Sequence, residues 1–211
     1  MPSLEKTGII LEIAAEDARG EDRALFKLGD KPLLNRVINE IKGVVDEVII
    51  VVSSDDQLDS YRRIVPSFAR FVEVADSSSH TLCAAMRGFE IAQGSYSLIL
   101  PSDSPFVYHE VVSLLFELCS GKSAVVPRWP SNECEPLHAV YNTANALQAS
   151  RQALAAGEVD LTGMLSYLRG VRYLSTLVIE QLDPDFRSFF RVKTQLDLKK
   201  AVVMNKPRKH S

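Results

Sequence analysis

Short apolar runs recur along the chain between polar and turn-forming residues. Five of them are rich in β-branched side chains and predict buried strands, at residues 8–11, 47–52, 71–74, 97–100 and 123–126. Continuous runs of this kind are typical of a parallel sheet that is covered on both faces, and less so of an exposed hairpin.

The segments between these runs have helical periodicity. Apolar residues at 33, 34, 37, 38 and 41 recur at the spacing that gives a helix one buried face. Residues 82–91 and 111–118 have the same character. Strands that alternate with helices predict right-handed crossovers and a three-layer α/β/α fold with a mostly parallel, Rossmann-like sheet.

The pattern changes after residue 123. We predict a loop followed by a strand at 136–141, helices at 143–156 and 161–168, strands at 171–174 and 176–179, and a final helix at 195–203. No linker or repeat divides the chain. We therefore expect one domain over residues 1–205 and a short basic tail at 206–211.

Composition narrows the class of protein. The chain has 211 residues, 46% of them hydrophobic, and a net charge of −3. Because nucleic acids and anionic membranes bind basic surfaces, this charge argues against both kinds of partner. Three cysteines without metal-ligand spacing predict reduced thiols. With neither a signal peptide nor a membrane-spanning run in the sequence, the prediction is a cytoplasmic protein.

Ligands of open parallel sheets bind beyond the carboxyl ends of the strands. The first such end leads into residues 12–23, which contain one glycine and five carboxylates. A phosphate cradle needs glycines, so that backbone N–H groups can approach the anion. From its composition alone, this segment predicts a solvated loop and the start of a helix.

Asp103 follows another predicted strand and stands in a turn between two prolines. A single carboxylate there is suited to Mg²⁺ bound beside phosphates, because Mg²⁺ takes oxygen ligands and keeps several waters. The same residue type equally suits a turn or the cap of the helix that begins near His109. The segment by itself supports both interpretations.

His138 lies beside the predicted strand at 136–141. It is a candidate for substrate contact or for acid–base chemistry. A single histidine with no partner in the sequence is also typical of a packed structural residue.

Four motifs occur in the order found in a known family. Residues 11–14, Leu-Glu-Ile-Ala, stand where that family has Leu-Ala-Gly-Gly, and residues 102–106, Ser-Asp-Ser-Pro-Phe, where it has Cys-Asp-x-Pro-Phe. The family's Pro-Leu-His-Ala-Val-Tyr is present letter for letter at 136–141. Its closing Asn-Val-Asn-Thr-x-x-Asp-Leu appears at 191–198 as Arg-Val-Lys-Thr-Gln-Leu-Asp-Leu. On these motifs the chain resembles the MobA family of molybdenum cofactor guanylyltransferases, which have a nucleotide-diphosphosugar transferase-like fold.

The resemblance implies a transfer of GMP from GTP to molybdopterin, with Mg²⁺ as cofactor and with partners in molybdoenzyme maturation. It implies that Asp103 is a metal ligand, that Asp103 and Arg23 are catalytic residues, and that Arg23 neutralises phosphate in place of a lysine. It also implies nucleotide contacts and substrate contacts. The implied nucleotide contacts are Leu11, Glu12, Ile13, Ala14, Arg23, Asp76 and Asp103, and the implied substrate contacts are His138 and Lys193.

The chain departs from the family's pattern at the same places. Ile13 and Ala14 replace the loop glycines, and Lys193 replaces an asparagine that is suited to a second metal contact. A protonated lysine cannot bind Mg²⁺, although its ammonium can supply a positive charge. Two alternatives therefore stand beside the guanylyltransferase. One is a family member without catalysis that binds a ligand or partner, and the other is a transferase with another nucleotide or acceptor.

Overall fold

The computed structural model describes residues 5–12, 20–74 and 80–205. Nine strands lie in this part of the chain: β1 Lys6–Leu11, β2 Lys27–Leu28, β3 Lys31–Pro32, β4 Glu47–Val52, β5 Ala69–Glu73, β6 Tyr96–Pro101, β7 Ala124–Arg128, β8 Ala139–Asn142 and β9 Val171–Ser175. Eight α-helices accompany them: α1 Leu33–Ile41, α2 Asp55–Arg62, α3 Thr81–Ile91, α4 His109–Cys119, α5 Thr143–Ala155, α6 Leu161–Leu165, α7 Thr176–Ile179 and α8 Gln195–Met204. Short 3₁₀ helices are formed by Arg23–Leu25, Pro136–His138 and Arg187–Phe189.

Seven strands form the central sheet, in the order β5-β4-β1-β6-β8-β7-β9. All neighbouring pairs are parallel except the two that involve β8, which runs antiparallel to β6 and β7. The remaining strands, β2 and β3, pair as a small antiparallel hairpin. The prediction of a mostly parallel sheet is confirmed.

Both faces of the sheet are buried, because side chains alternate between two cores. Ile10 packs with α1 and α4 on one face, whereas Ile9 packs with α3 and α5 on the other. Gly88 in α3 allows this close packing, since a Cβ there would lie 2.5 Å from the Cγ2 atom of Ile9. The expected three-layer α/β/α architecture follows from this alternation.

A third, smaller core joins the C-terminal helix α8 to the β2–β3 hairpin. Leu28, Leu33, Val192 and Ala201 are buried in it together. The segment that leads into α8 is thereby held against the body of the domain. This packing brings residues 191–193 to the carboxyl edge of the sheet.

One predicted strand begins late, since in the segment 136–141 Pro136–His138 form a 3₁₀ helix and strand β8 starts only at Ala139. Another predicted strand is wrong. Residues 176–179 form the helix α7 and not a strand. The Ser175 side chain accepts a hydrogen bond from the Leu177 amide and so caps the helix start. Leu177 is 55% exposed while Ile179 is fully buried, and this asymmetry suits one helical turn on the surface better than a strand buried on both faces.

Two expectations from composition concern cysteines and membranes. Cys83, Cys119 and Cys134 are all free thiols. In the described part of the chain, every helix is too short or too polar to cross a bilayer.

Candidate functional site

Three strand ends meet at one edge of the sheet. The carboxyl ends of β1 and β6 are neighbours, with Leu11 paired to Pro101. Because β8 runs antiparallel to β6, its first residue, Ala139, pairs with Ile99 near the same edge. The sheet therefore brings the segments that carry Glu12, Asp103 and His138 together.

Asp103 is paired with Arg191 at this edge. Arg191 Nε donates to Asp103 Oδ1 at 2.6 Å, and Arg191 Nη2 donates to Oδ2 at 3.0 Å. The Val192 amide also donates to the Asp103 carbonyl at 2.9 Å. Asp103 is only 1% exposed. A bidentate pair of this kind fixes the plane of the guanidinium as well as its charge.

Arg23 brings a second guanidinium to the same carboxylate. Its Nε lies 3.8 Å from Asp103 Oδ2. Arg23 begins a 3₁₀ helix whose cap is Asp22, which accepts from the Ala24 amide at 2.9 Å and from the Tyr61 hydroxyl at 2.6 Å. Burial, and then the neighbouring Glu12, raises the pKa of Tyr61, so the phenol stays a hydrogen-bond donor. The cap thus positions Arg23 beside Asp103.

Glu12 departs from the prediction of a solvated acidic loop. It is 2% exposed, and its amide extends β1 by donating to the Val51 carbonyl at 2.9 Å. Burial, reinforced by the negative charges of Asp22 and Asp103, raises its pKa to about 8, against a hydrogen bond with the Ser102 side chain that lowers it. The first carboxylate after β1 therefore turns inward, beneath the site.

His138 belongs to the site but is buried. Its Nε2 lies 3.1 Å from Ser104 Oγ, and its ring packs edge-on against Phe189 at 5.4 Å. Burial, together with the nearby Arg191 guanidinium, lowers its pKa to about 3. A neutral ring held in this way suits a positioning role better than proton transfer near neutral pH.

A cavity of about 280 Å³ opens at this edge. It is lined by Leu11, Arg23, Thr81, Pro101, Leu137, Arg191 and Lys193. Three of these seven residues are cationic and none is acidic. A second cavity of about 440 Å³ shares Arg191 and Lys193 with the first, and its lining also includes His138, Phe189 and the carboxylates Glu135 and Asp197. The two cavities together offer room for an anionic ligand and for a second group beside it.

A third cavity of about 440 Å³ lies elsewhere, between α5 and residues 167–169, which follow α6. Arg169 is the one charged residue among the described residues that line it, and none of the three strand ends described above contributes to it. The charge at the sheet edge therefore makes the edge the better candidate for a phosphate ligand.

The residues around Asp103 do not fit the Mg²⁺ that the resemblance implies. Mg²⁺ binds oxygen ligands at near-octahedral geometry, usually with one or two carboxylates free to take part. Here both oxygens of Asp103 accept from Arg191, and Lys193 offers an ammonium where an amide oxygen was expected. Within residues 5–12, 20–74 and 80–205, no three acidic, histidine or cysteine side chains cluster as a metal site would require. The role of Asp103 as a metal ligand stays a prediction.

The structure brings most of the predicted site residues together. Leu11, Arg23 and Lys193 line the smaller cavity, and His138 lines the larger one. Glu12 and Asp103 lie buried beneath this edge. The predicted contacts Ile13, Ala14 and Asp76 lie outside the described residues.

Sequence reasoning missed Arg191. The residue stands where the resembling motif has its first asparagine, two positions before Lys193. In this motif, two cations stand where the family has two neutral amides. This replacement indicates that the charge of the site has changed. The signal could have been found, but the partner of Arg191 could not, because Asp103 lies 88 residues away in the sequence.

Comparisons with known proteins identify the family of the chain. The sequence model of the MobA-like NTP transferase domain matches residues 18–169. A relative from Methanosarcina mazei, named a probable molybdenum cofactor guanylyltransferase, is 29% identical over 185 residues, which span 86% of this chain and 82% of the relative.

Solved structures show the same fold. Molybdopterin-guanine dinucleotide biosynthesis protein A from Archaeoglobus fulgidus superposes with a TM-score of 0.78 at 20% identity, over 94% of this chain and 97% of that one. A 4-diphosphocytidyl-2C-methyl-D-erythritol synthase from Anaerococcus prevotii superposes with a TM-score of 0.72 at 14% identity, over 96% of both chains. With the family match extending over more than half of its length, the chain belongs to the MobA-like NTP transferase family.

Proposed function

We propose that this protein transfers GMP from GTP to molybdopterin and so forms the guanine dinucleotide form of the cofactor. The observation that carries the proposal is the cationic cavity at the carboxyl ends of β1 and β6, in a chain of this family. The name of the Methanosarcina mazei relative supports the choice of nucleotide and acceptor.

In the proposed reaction, an oxygen of the terminal phosphate of molybdopterin attacks the α-phosphorus of GTP. The bond from that phosphorus to the oxygen bridging to the β-phosphate breaks, and pyrophosphate leaves with the electron pair. Such a transfer needs in-line positioning and charge neutralisation more than covalent work by the protein.

The residues at the edge are suited to those two tasks. Arg23, Arg191 and Lys193 line the smaller cavity and would bind the phosphates of the nucleotide. Cationic donors of this kind stabilise the negative charge that develops on the leaving pyrophosphate. His138 is hydrogen-bonded to Ser104 and would fix the wall of the larger cavity, where the acceptor is proposed to bind.

The acceptor fits best in the larger cavity. It shares Leu137, Arg191 and Lys193 with the smaller one, so two ligands bound in the two cavities would meet at these residues. Delivery of the product to a partner in molybdoenzyme maturation would follow release and is part of the same proposal.

The direct test is a transfer assay with purified protein, molybdopterin and GTP labelled at the α-phosphate. The proposal predicts labelled guanine dinucleotide and one pyrophosphate for each dinucleotide. The assay is run once with Mg²⁺ and once with EDTA, so that transfer is detected whether or not it requires the metal. A product with CTP and none with GTP would favour a transferase with another nucleotide.

A second candidate is a family member that binds the nucleotide without transferring it. The pairing of Asp103 with Arg191 favours this candidate, because both oxygens of the carboxylate accept hydrogen bonds from Arg191 and are not available to a metal. This candidate predicts saturable GTP binding with no dinucleotide under any condition of the assay.

A further inference from the structure

The charged groups around Asp103 determine how the site can bind phosphate. The single negative charge of Asp103 faces two guanidinium groups, Arg191 at hydrogen-bonding distance and Arg23 at 3.8 Å. Among the described residues that line the smaller cavity, Arg23, Arg191 and Lys193 are cationic and none is acidic. A divalent cation would add to that positive charge, whereas a polyphosphate would neutralise it.

A metal bound to Asp103 would first have to displace Arg191. That step gives up a bidentate, charge-assisted pair to a carboxylate that is almost fully buried. The displaced guanidinium would remain in a largely buried position, with its side chain 25% exposed. Breaking a buried pair by removing one partner is strongly unfavourable, since the other charge loses its compensation.

Arg191 also has N–H donors that Asp103 does not use. A guanidinium has five N–H donors, and Asp103 takes two of them. Arg191 lines the smaller cavity, as does Lys193, whose side chain is exposed at the site. Asp103 fixes the plane of the Arg191 guanidinium, and the Val192 amide donates to the Asp103 carbonyl. The guanidinium is therefore ordered before the ligand binds.

We infer that this site binds the polyphosphate of its nucleotide without a divalent metal, with Arg191 supplying the charge and Asp103 serving to orient it. Lys193 and Arg23 complete the cationic wall of the cavity. The inference rests on the proposed function in so far as it takes the ligand to be a nucleoside triphosphate. It concerns only the binding of phosphates and includes no chemical step.

The test is isothermal titration of the full-length protein with GTP and with inorganic tripolyphosphate, each in excess EDTA and in MgCl₂. The inference predicts that both probes bind in EDTA, and that Mg²⁺ leaves the affinity unchanged or lowers it. Binding that needs Mg²⁺, or that tightens more than about tenfold with it, equivalent to roughly 1.4 kcal/mol, would overturn the inference. The absence of tripolyphosphate binding in EDTA would overturn it as well.

A double variant provides the converse test. Arg191→Asn with Lys193→Asn removes both cations and frees the Asp103 oxygens. It should lose binding of both probes in EDTA and regain it with Mg²⁺ or Mn²⁺. A variant that binds in EDTA as tightly as the wild type would contradict the inference.

Arg151→Asn is the matched control, because it removes a cation from the exposed pair with Glu90 away from the sheet edge. If the double variant does not fold, the two titrations of the wild-type protein decide the question. Tripolyphosphate binding in EDTA without any transfer to molybdopterin would refute the proposed function alone. Transfer that requires Mg²⁺ for phosphate binding would refute the inference alone.

Discussion

Arg191 holds Asp103 by both carboxylate oxygens, at 2.6 Å and 3.0 Å, although the two residues are 88 positions apart. The pair joins the segment that precedes α8 to the turn after β6. It therefore ties the last helix of the fold to the edge where the candidate site lies. Its loss should affect both stability and ligand binding.

The stability of the fold should depend on this pair. Arg191→Ala leaves the carboxylate of Asp103 buried, with Arg23 as its one ion-pair partner among the described residues, so we expect the free energy of unfolding to fall by about 2–4 kcal/mol. Chemical denaturation measures the change. Arg62→Ala is the control, since its pair with Asp59 is exposed and should contribute less than about 1 kcal/mol. Equal losses for the two variants would argue against a structural role for the Asp103 pair.

Glu12 should make stability depend on pH. Its pKa is about 8 in the folded protein and 4.5 in the unfolded reference, so between these values the folded state binds a proton that the unfolded state has released. The free energy of unfolding should therefore fall as pH rises from about 5 to about 8, by at most about 1.4 kcal/mol per pH unit from this group. Glu12→Gln removes that proton and should flatten the profile.

Denaturation at a series of pH values tests this expectation. Glu117→Gln, a change at an exposed position on α4, is the matched control and should keep the slope of the wild type. Parallel profiles for the wild type and Glu12→Gln would show that the buried carboxyl does not bind the extra proton.

His138 should remain neutral across the physiological range. Its pKa is lowered to about 3, because the ring is buried and lies near Arg191. The ring carbon resonances of His138 should therefore stay constant from about pH 8 down to about pH 5 in an NMR titration. His138→Gln identifies the signal by its disappearance. A sigmoidal change with a midpoint near 6.5 would contradict the description of a buried, neutral ring.

Lys193 should contribute to nucleotide binding without contributing to stability. Its side chain is exposed and lines both cavities at the sheet edge. Lys193→Ala should weaken GTP binding by about tenfold, which corresponds to one charge-assisted hydrogen bond of about 1.4 kcal/mol, and should leave the unfolding midpoint unchanged. Lys42→Ala is the control for loss of a surface charge, since this exposed lysine donates to Asn39 away from both cavities. Equal affinities for the two variants would place the phosphates away from Lys193.

Much of the fold followed from the sequence because apolar runs and helical periods are local signals. The buried strands at Glu47–Val52 and Tyr96–Pro101 and the helix Leu33–Ile41 have the predicted character. Residues 176–179 form a helix and not the predicted strand because one threonine and three apolar residues fit one helical turn as well as a strand, and the cap from Ser175 decides between them.

The site was less predictable because it depends on pairs that are distant in sequence. The strand-end rule placed Asp103 and His138 at one edge, since the register of β1, β6 and β8 brings their segments together. The acidic composition of residues 12–23 predicted solvation, but composition does not say which carboxylate turns inward, and Glu12 does. The pairing of Asp103 with Arg191 depends on the packing of α8 against the β2–β3 hairpin, which local sequence patterns do not predict.

The most direct test of the account is a crystal structure of the protein with GTP bound. We predict that the triphosphate lies in the cavity at the ends of β1 and β6, with its oxygens within hydrogen-bonding distance of Arg191 and Lys193 while Arg191 still holds Asp103. A triphosphate bound elsewhere, such as in the cavity between α5 and residues 167–169 beside Arg169, would contradict this prediction.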